Sequence, residues 1–230
     1  MVQIGVATSV GMVRTLNEDA YWFSDRVFVV CDGMGGHQAG EVASALAINA
    51  IKGYQFKLAD PIEEIKEAIL QAHQQVAGAA SEPALAGMGT TIVLMVITDH
   101  QLYIGHVGDS RGYLLREQDL IQITNDHSVV AELVRNGSLT EDEAISHPHR
   151  NIVTQALGIG DIVVETHSYA LQSGDKILLC TDGLTDVVNT KLIKEVLLEN
   201  QPEEAAQELV KLANQQGGPD NTTALVILVP

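Results

Sequence analysis

Apolar positions along the chain fall into short runs with strand character and longer stretches with helical spacing. Val2 to Thr8, Tyr21 to Ser24 and Val27 to Cys31 read as strands. Gly40 to Lys57 reads as a helix with a small apolar face built from Val42, Ala43, Leu46 and Ala50. The next helix is clearly punctuated: Asp60 is a good N-cap, Pro61 suits the first helical position and Glu63 completes a capping box. Ile62, Ile65, Ile69, Ala72 and Val76 then recur at helical spacing, a stripe that belongs in a core. Two buried strands, Thr90 to Thr98 and Gln101 to Val107, are expected to turn at Asp99-His100, with further strands at Arg111 to Arg116 and Leu120 to Ile123.

Residues 126–151 break this rhythm. Asp126 to Gly137 resembles a short helix, and the polar stretch after it carries a second capping box, Thr140 to Glu143, so the segment reads as an inserted flap. Strands return at Ile162 to Tyr169, Lys176 to Cys180 and Thr222 to Val229, with helices at about Thr190 to Asn200 and Pro202 to Gln215. Strands in two blocks joined by long helical segments favour an α+β layered fold over an alternating parallel sheet. No repeat or linker interrupts the chain, so residues 1–230 are expected to form one domain.

Composition narrows the functional classes. Hydrophobic residues make up 46% and charged residues 19%, values of a folded globular chain. Cys31 and Cys180 each end an apolar run and are expected to be reduced core thiols. Met1 to Ser9 lacks a cationic start, and runs such as Ile92 to Ile97 fall far short of the ~20 residues of a spanning helix, so a cytoplasmic protein without a membrane partner is expected. The formal charge of −17, from 30 acidic and 13 basic residues, argues against a nucleic-acid partner. A monomer is the default.

The aspartates carry the candidate chemistry. Asp32, Asp109, Asp182 and Asp220 each lie in a Gly-containing turn, and the first three follow apolar runs. One Asp-Gly turn is only a hairpin signal. Four strand-end carboxylates brought to one sheet edge would repel unless cations neutralised them. Hard oxygen ligands suit Mg²⁺ or Mn²⁺, and a pair of such ions holds a phosphoryl group and a water. Other phosphate chemistries fail: Gln38 breaks a Gly-x-Gly-x-x-Gly loop, and His37 and Asp186 stand where a cysteine phosphatase needs arginine. A serine nucleophile elbow is not expected.

Six motifs then occur in order: Arg14-Thr-Leu-Asn-Glu-Asp19, Asp32-Gly-Met-Gly-Gly-His-Gln-Ala-Gly-Glu41, Gly89-Thr-Thr91, Gly108-Asp-Ser-Arg111, Thr181-Asp-Gly-Leu-Thr-Asp186 and Gly218-Pro-Asp-Asn-Thr222. Together the series resembles the metal-dependent protein phosphatases of the type 2C class, in their compact bacterial form. The resemblance implies an α-β-β-α sandwich of two antiparallel sheets flanked by helices, with two Mg²⁺ or Mn²⁺ ions between the sheets and a possible third. Asp32 would bridge the ions and the Gly33 carbonyl would bind one, with Asp182 and Asp220 on the other. Asp19 would hold waters around the ions, and Asp109 and Asp186 would join Asp182 in a weaker third site. Arg14, which read alone is a surface ion-pair partner, would grip the substrate phosphate. The flap segment His147-Pro-His-Arg-Asn151 resembles one that borders the active site, which makes His147 and Arg150 candidate substrate contacts. His37 is the candidate general acid, although Met34 fills the place directly after Asp-Gly that a histidine takes in other members.

The implied reaction is hydrolysis of phosphoserine or phosphothreonine in a protein substrate by a metal-bridged water, without a phosphoenzyme. The alternative is a pseudophosphatase that keeps the fold but serves as a binding or sensor module.

Overall fold

The computed structural model describes residues 2–35, 39–145 and 147–230. The elements run β1 (Gln3–Ser9), β2 (Asp19–Phe23), β3 (Val27–Met34), α1 (Gly40–Gly53), α2 (Pro61–Ala79), β4 (Gly89–Thr90), β5 (Ile92–Thr98), β6 (Gln101–Val107), β7 (Arg111–Arg116) and β8 (Asp119–Gln122). They continue α3 (Val129–Arg135), α4 (Glu141–Ile145), β9 (Glu165–Ala170), β10 (Lys176–Cys180), α5 (Asp182–Thr185), α6 (Thr190–Glu199), α7 (Pro202–Gln215) and β11 (Thr222–Leu228). One sheet has the order β1-β11-β10-β7-β8 and the other β2-β3-β5-β6-β9, with β4 paired to β3. Every ladder is antiparallel.

Strand alternation builds three apolar layers, as period-2 side chains require. Phe28, Val30, Val93, Ile104, Leu179 and Leu225, drawn from both sheets, meet between them. The opposite face of β3 and β5 (Val29, Cys31, Leu94) packs against α1 and α2. The outer face of β10 and β11 (Leu178, Cys180, Val226) packs against α6 and α7. The two sheets with their flanking helices form the expected four layers. Cys31 and Cys180 point into opposite outer layers, and both are free.

Several boundaries move for physical reasons. Asp32 lies inside β3 rather than after it, because β2 and β4 pair with the end of β3 beyond the apolar run. The expected helix from Asp126 starts only at Val129, where the Ser128 hydroxyl caps the Ala131 N–H at 3.3 Å. At α2 the Asp60 carboxylate caps the Glu63 N–H at 3.3 Å. The return half of that expected box comes from Glu64, which accepts N–H bonds from Lys57 to Asp60, while Glu63 pairs with Lys66. At α4 the box of Thr140 and Glu143 closes in both directions.

Candidate metal centre

Strand pairing places the first two carboxylates. Asp19 opens β2 and stands directly opposite Asp32 of β3. Asp182 begins the short helix that follows β10, and Asp220 precedes β11, the neighbour of β10. Asp109 sits in the turn between β6 and β7. These strand ends meet at one end of the sandwich, so residues far apart in sequence share one cleft.

The backbone there is tightly specified. Any side chain at Gly33 would overlap the backbone of Gly40 and Glu18, and the Gly33 N–H donates to the Glu18 carbonyl at 3.1 Å. The Thr91 hydroxyl accepts the Asp32 N–H at 2.9 Å, and the Thr90 hydroxyl donates to the Asp32 carbonyl at 2.9 Å. Asp19 Oδ2 accepts from the Thr181 and Thr223 hydroxyls at 2.9 and 2.7 Å. Its Oδ1 is buried without a partner.

These groups strain one another electrostatically. Burial, reinforced by Asp182 and Asp220 and only partly offset by the threonine hydroxyls, pushes Asp19 up to about 7. Burial, with Asp186 and Asp220 beside it, raises Asp182 to about 6. Burial and the charges of Asp19, Asp182 and Asp109 push Asp32 well above the carboxylate range, and burial with Asp182 does the same to Asp109. Asp182 is thus one of the neighbours that make ionisation of Asp32 unfavourable. The nearby guanidiniums offset this charge only in part. Arg111 makes a bidentate pair with Asp126, and Arg14, on the exposed loop before β2, pairs with Asp220 at 2.7 Å. Crowded carboxylates, an orphaned oxygen on Asp19 and an all-oxygen donor set fit hard divalent cations such as Mg²⁺ or Mn²⁺.

The remaining candidates divide. A cavity of about 690 Å³ beside the cluster is lined by Asp109, Asp182, Asp186 and, from the flap, Arg135, Ile145 and Arg150. Asp186 stays open to solvent there, and the surrounding protein raises its carboxyl while the Arg150 and Arg111 charges hold it back. His147 is not among the described residues lining this cavity. Its Nδ1 accepts the His149 N–H at 3.2 Å and its ring packs on that of His149. His37 lies outside the described residues. Contrary to the expectation of no elbow, Gly108-Asp-Ser-Arg-Gly112 does spell Gly-x-Ser-x-Gly. It joins two strands rather than a strand and a helix, and Ser110 is buried with its hydroxyl 2.7 Å from that of Thr91. Burial also pushes both cysteine thiols up, Cys180 to about 12.

Sequence reasoning missed the supporting polar residues. Besides Thr181 and Thr223, the buried Asn221 accepts the Glu18 N–H at 2.8 Å and donates to the Val10 and Leu16 carbonyls at 2.9 Å each. It thereby holds both ends of the loop that carries Arg14. The only sequence signal for Asn221 and Thr181 was their position next to Asp220 and Asp182.

Two antiparallel sheets between helical layers, with a carboxylate cluster at one end, define the architecture of a metal-dependent phosphatase. Residues 13–133 match the protein phosphatase 2C family, and the chain belongs to that family. It is 40% identical over 219 residues to the serine/threonine protein phosphatase PstP of Mycobacterium tuberculosis, covering 94% of this chain and 43% of PstP. It is 38% identical over 234 residues to the serine/threonine phosphatase stp of Listeria monocytogenes, covering 96% of this chain and 93% of stp. The chain thus spans less than half the length of PstP but nearly all of stp. The fold superposes on the crystal structure of M. tuberculosis PstP with a TM-score of 0.95 at 38% identity, covering 99% of this chain and 98% of that one. It superposes on the PstP catalytic domain in complex with two manganese ions with a TM-score of 0.92 at 36% identity, covering 100% and 99%.

Proposed function

We propose that this chain is a protein serine/threonine phosphatase that uses Mg²⁺ or Mn²⁺ to hydrolyse phosphoserine and phosphothreonine side chains. The observation that carries the reading is the convergence of Asp19, Asp32, Asp182 and Asp220 on one cleft in a fold whose relatives bear that activity in their names. When bound, the ions neutralise the carboxylates, polarise the phosphoryl oxygens and lower the pKa of the attacking water.

Asp32, the Gly33 carbonyl, Asp182 and Asp220 would hold the two ions. Asp19, aimed by Thr181 and Thr223, orients water around the ions. Asp109 and Asp186 provide, with Asp182, a third position facing the flap cavity. Arg14 orients the phosphate through its planar fork, for which it leaves or shares its pair with Asp220. Arg150 lines the cavity and so supports the flap contact better than His147 does. Ser110 is buried and burial pushes both cysteine thiols up, so none of these three is an activated nucleophile, which supports direct attack by water without a phosphoenzyme. Residues 1–230 then act as one catalytic unit with the flap at 126–151, as a cytoplasmic monomer on phosphoproteins, with no nucleic-acid or membrane partner. The binding-only alternative loses its support when the whole carboxylate set faces one cleft.

The test is hydrolysis of a phosphothreonine peptide with Mn²⁺ and again with excess chelator. Activity is expected only with the metal, and Asp32→Asn is expected to lower it by at least ~10²-fold, beyond the 10–100-fold typical of residues that merely support ligands. Chelator-resistant hydrolysis, or full activity in Asp32→Asn, would refute the reading.

A further inference from the structure

A cluster of different chemistry lies at the β9 edge of the second sheet. His106 of β6 and Glu165 of β9 are directly paired in register, so their side chains leave the sheet on the same face. His127, from the segment after β8, completes the group, and one potential ligand atom from each lies within 4.8 Å of the other two. The two imidazole rings are 4.9 Å apart and only 31° from parallel. His127 Nε2 stands 3.4 Å from Glu165 Oε2, while His167 Nε2 lies 2.9 Å from the other carboxylate oxygen.

His106 is fully buried, and its Nε2 lies 2.7 Å from the Asn125 carbonyl. That contact requires a proton on Nε2, which outranks the longer approach of the Asn125 N–H at 3.3 Å. Nδ1 is therefore a lone pair, and it is buried without a hydrogen-bond partner. A neutral imidazole whose second nitrogen donates to a backbone carbonyl is the state in which histidine ligates metals. Burial pushes the His106 pKa down and so keeps the ring neutral.

We propose that His106, His127 and Glu165 form a second cation site, suited to a Zn²⁺-class ion and separate from the carboxylate centre. Two imidazoles and one carboxylate are a zinc donor set, whereas the all-oxygen cleft suits Mg²⁺ or Mn²⁺. The 3.4 Å between His127 Nε2 and Glu165 Oε2 matches the edge of a tetrahedron with bonds of ~2.0–2.1 Å, roughly 3.4 Å. His167, already on the other oxygen of Glu165, fixes the carboxylate from outside.

Occupancy has a consequence for the cleft. His127 Nδ1 accepts the Gly108 N–H at 3.3 Å, and the His127 N–H donates to the Gly108 carbonyl at 2.9 Å. A cation on Nε2 moves the ring proton to Nδ1, with none lost overall, and sets it against the Gly108 N–H. Gly108 holds a left-handed φ of +105° immediately before Asp109. Zinc therefore loosens the turn that presents Asp109 and slows turnover. This consequence rests on the proposed phosphatase reading; the binding claim does not.

The test is a Zn²⁺ titration of the whole chain in excess Mg²⁺, which occupies the oxygen ligands. Stoichiometry is read with a chromophoric chelator and the ligands by zinc-edge X-ray absorption. One ion per chain with imidazole scattering is expected, weakened at least ~10-fold in Glu165→Gln and in His106→Gln, with folding checked by circular dichroism. Asp32→Asn, the control for zinc held at the carboxylate cleft, is expected to bind as wild type does. No retained zinc, or equal zinc in Glu165→Gln and wild type, would overturn the site. Zinc that binds yet leaves peptide hydrolysis untouched would overturn the coupling to Asp109. A chain with no phosphatase activity that still binds zinc would count against the phosphatase reading alone.

Discussion

The carboxylate cleft and the imidazole cluster are both polar sites set into the rim of a β-sandwich, yet they stand in opposite electrostatic states. In the cleft, Asp19, Asp32 and Asp182 are each raised by burial and by neighbouring carboxylates. At the sheet edge, burial alone would raise Glu165, but hydrogen bonds from Asn125, His167 and His127 pull it down to about 2. Glu165 is satisfied by its donors, so the unmet group at that edge is the His106 Nδ1 lone pair, whereas in the cleft the carboxylates themselves are unmet. Unmet electrostatic demand marks a site organised for something the polypeptide does not supply.

Neutralising a cleft carboxylate should break the contrast most visibly. Asp182→Asn keeps the shape and removes one charge. It is expected to abolish metal-dependent hydrolysis, by ~10²-fold or more, while raising the Tm of the chelator-treated protein by several degrees. A lower Tm in Asp182→Asn than in chelated wild type would show that the crowding is not destabilising.

Thr223→Val tests the aim of the carboxylates rather than their charge, because it deletes the 2.7 Å hydroxyl bond to Asp19. The Mn²⁺ concentration for half activation is expected to rise ~10–100-fold, with little change in kcat at saturating metal. A drop in kcat with unchanged metal dependence would assign Thr223 a different role.

The smallest effect is the dependence of stability on pH, and it separates the two sites. Asp19 titrates near 3.8 when unfolded and about 7 when folded, and Asp182 near 3.8 and about 6. Between those values the folded state holds protons that the unfolded chain releases, so stability of the ion-free protein falls as pH rises from about 4 to 7. Glu165, near 4.5 unfolded and about 2 folded, stabilises above 4.5 and loses that contribution as pH falls toward 2. Melting curves in chelator between pH 5 and 7.5 should therefore be dominated by the several cleft carboxylates, against a smaller opposite contribution from His106, whose lowered pKa stabilises the fold as pH rises. Adding Mn²⁺ should reverse the slope, because ligation needs the deprotonated carboxylates. A Tm that rises with pH in chelator would contradict the raised carboxylates.

Much of this was legible in the chain. Continuous apolar runs such as Ile92–Ile97 and the capped stripe from Pro61 located strands and helices to within a few residues. Asp32, Asp109, Asp182 and Asp220 stood out because Gly-containing turns, three of them after apolar runs, are local features. The capping partner at Asp60 was misassigned because Glu63 and Glu64 differ only in which way a side chain turns at the helix entrance. Asn221 and Thr223 were invisible as supports, since a hydroxyl or amide reveals its acceptor only when distant segments meet.

The sequence by itself determined the strands and helices, four of the clustered aspartates and the family motifs, because hydrophobic patterning and turn chemistry act between near neighbours. The sandwich and the parts of Asp19 and Asp186 came from the resemblance. Only the tertiary structure decided that Asp19 faces Asp32 across a strand pair, that Arg14 reaches Asp220, and that His106 is set beside Glu165. Those juxtapositions depend on strand order and register, which long-range packing chooses and no local pattern encodes.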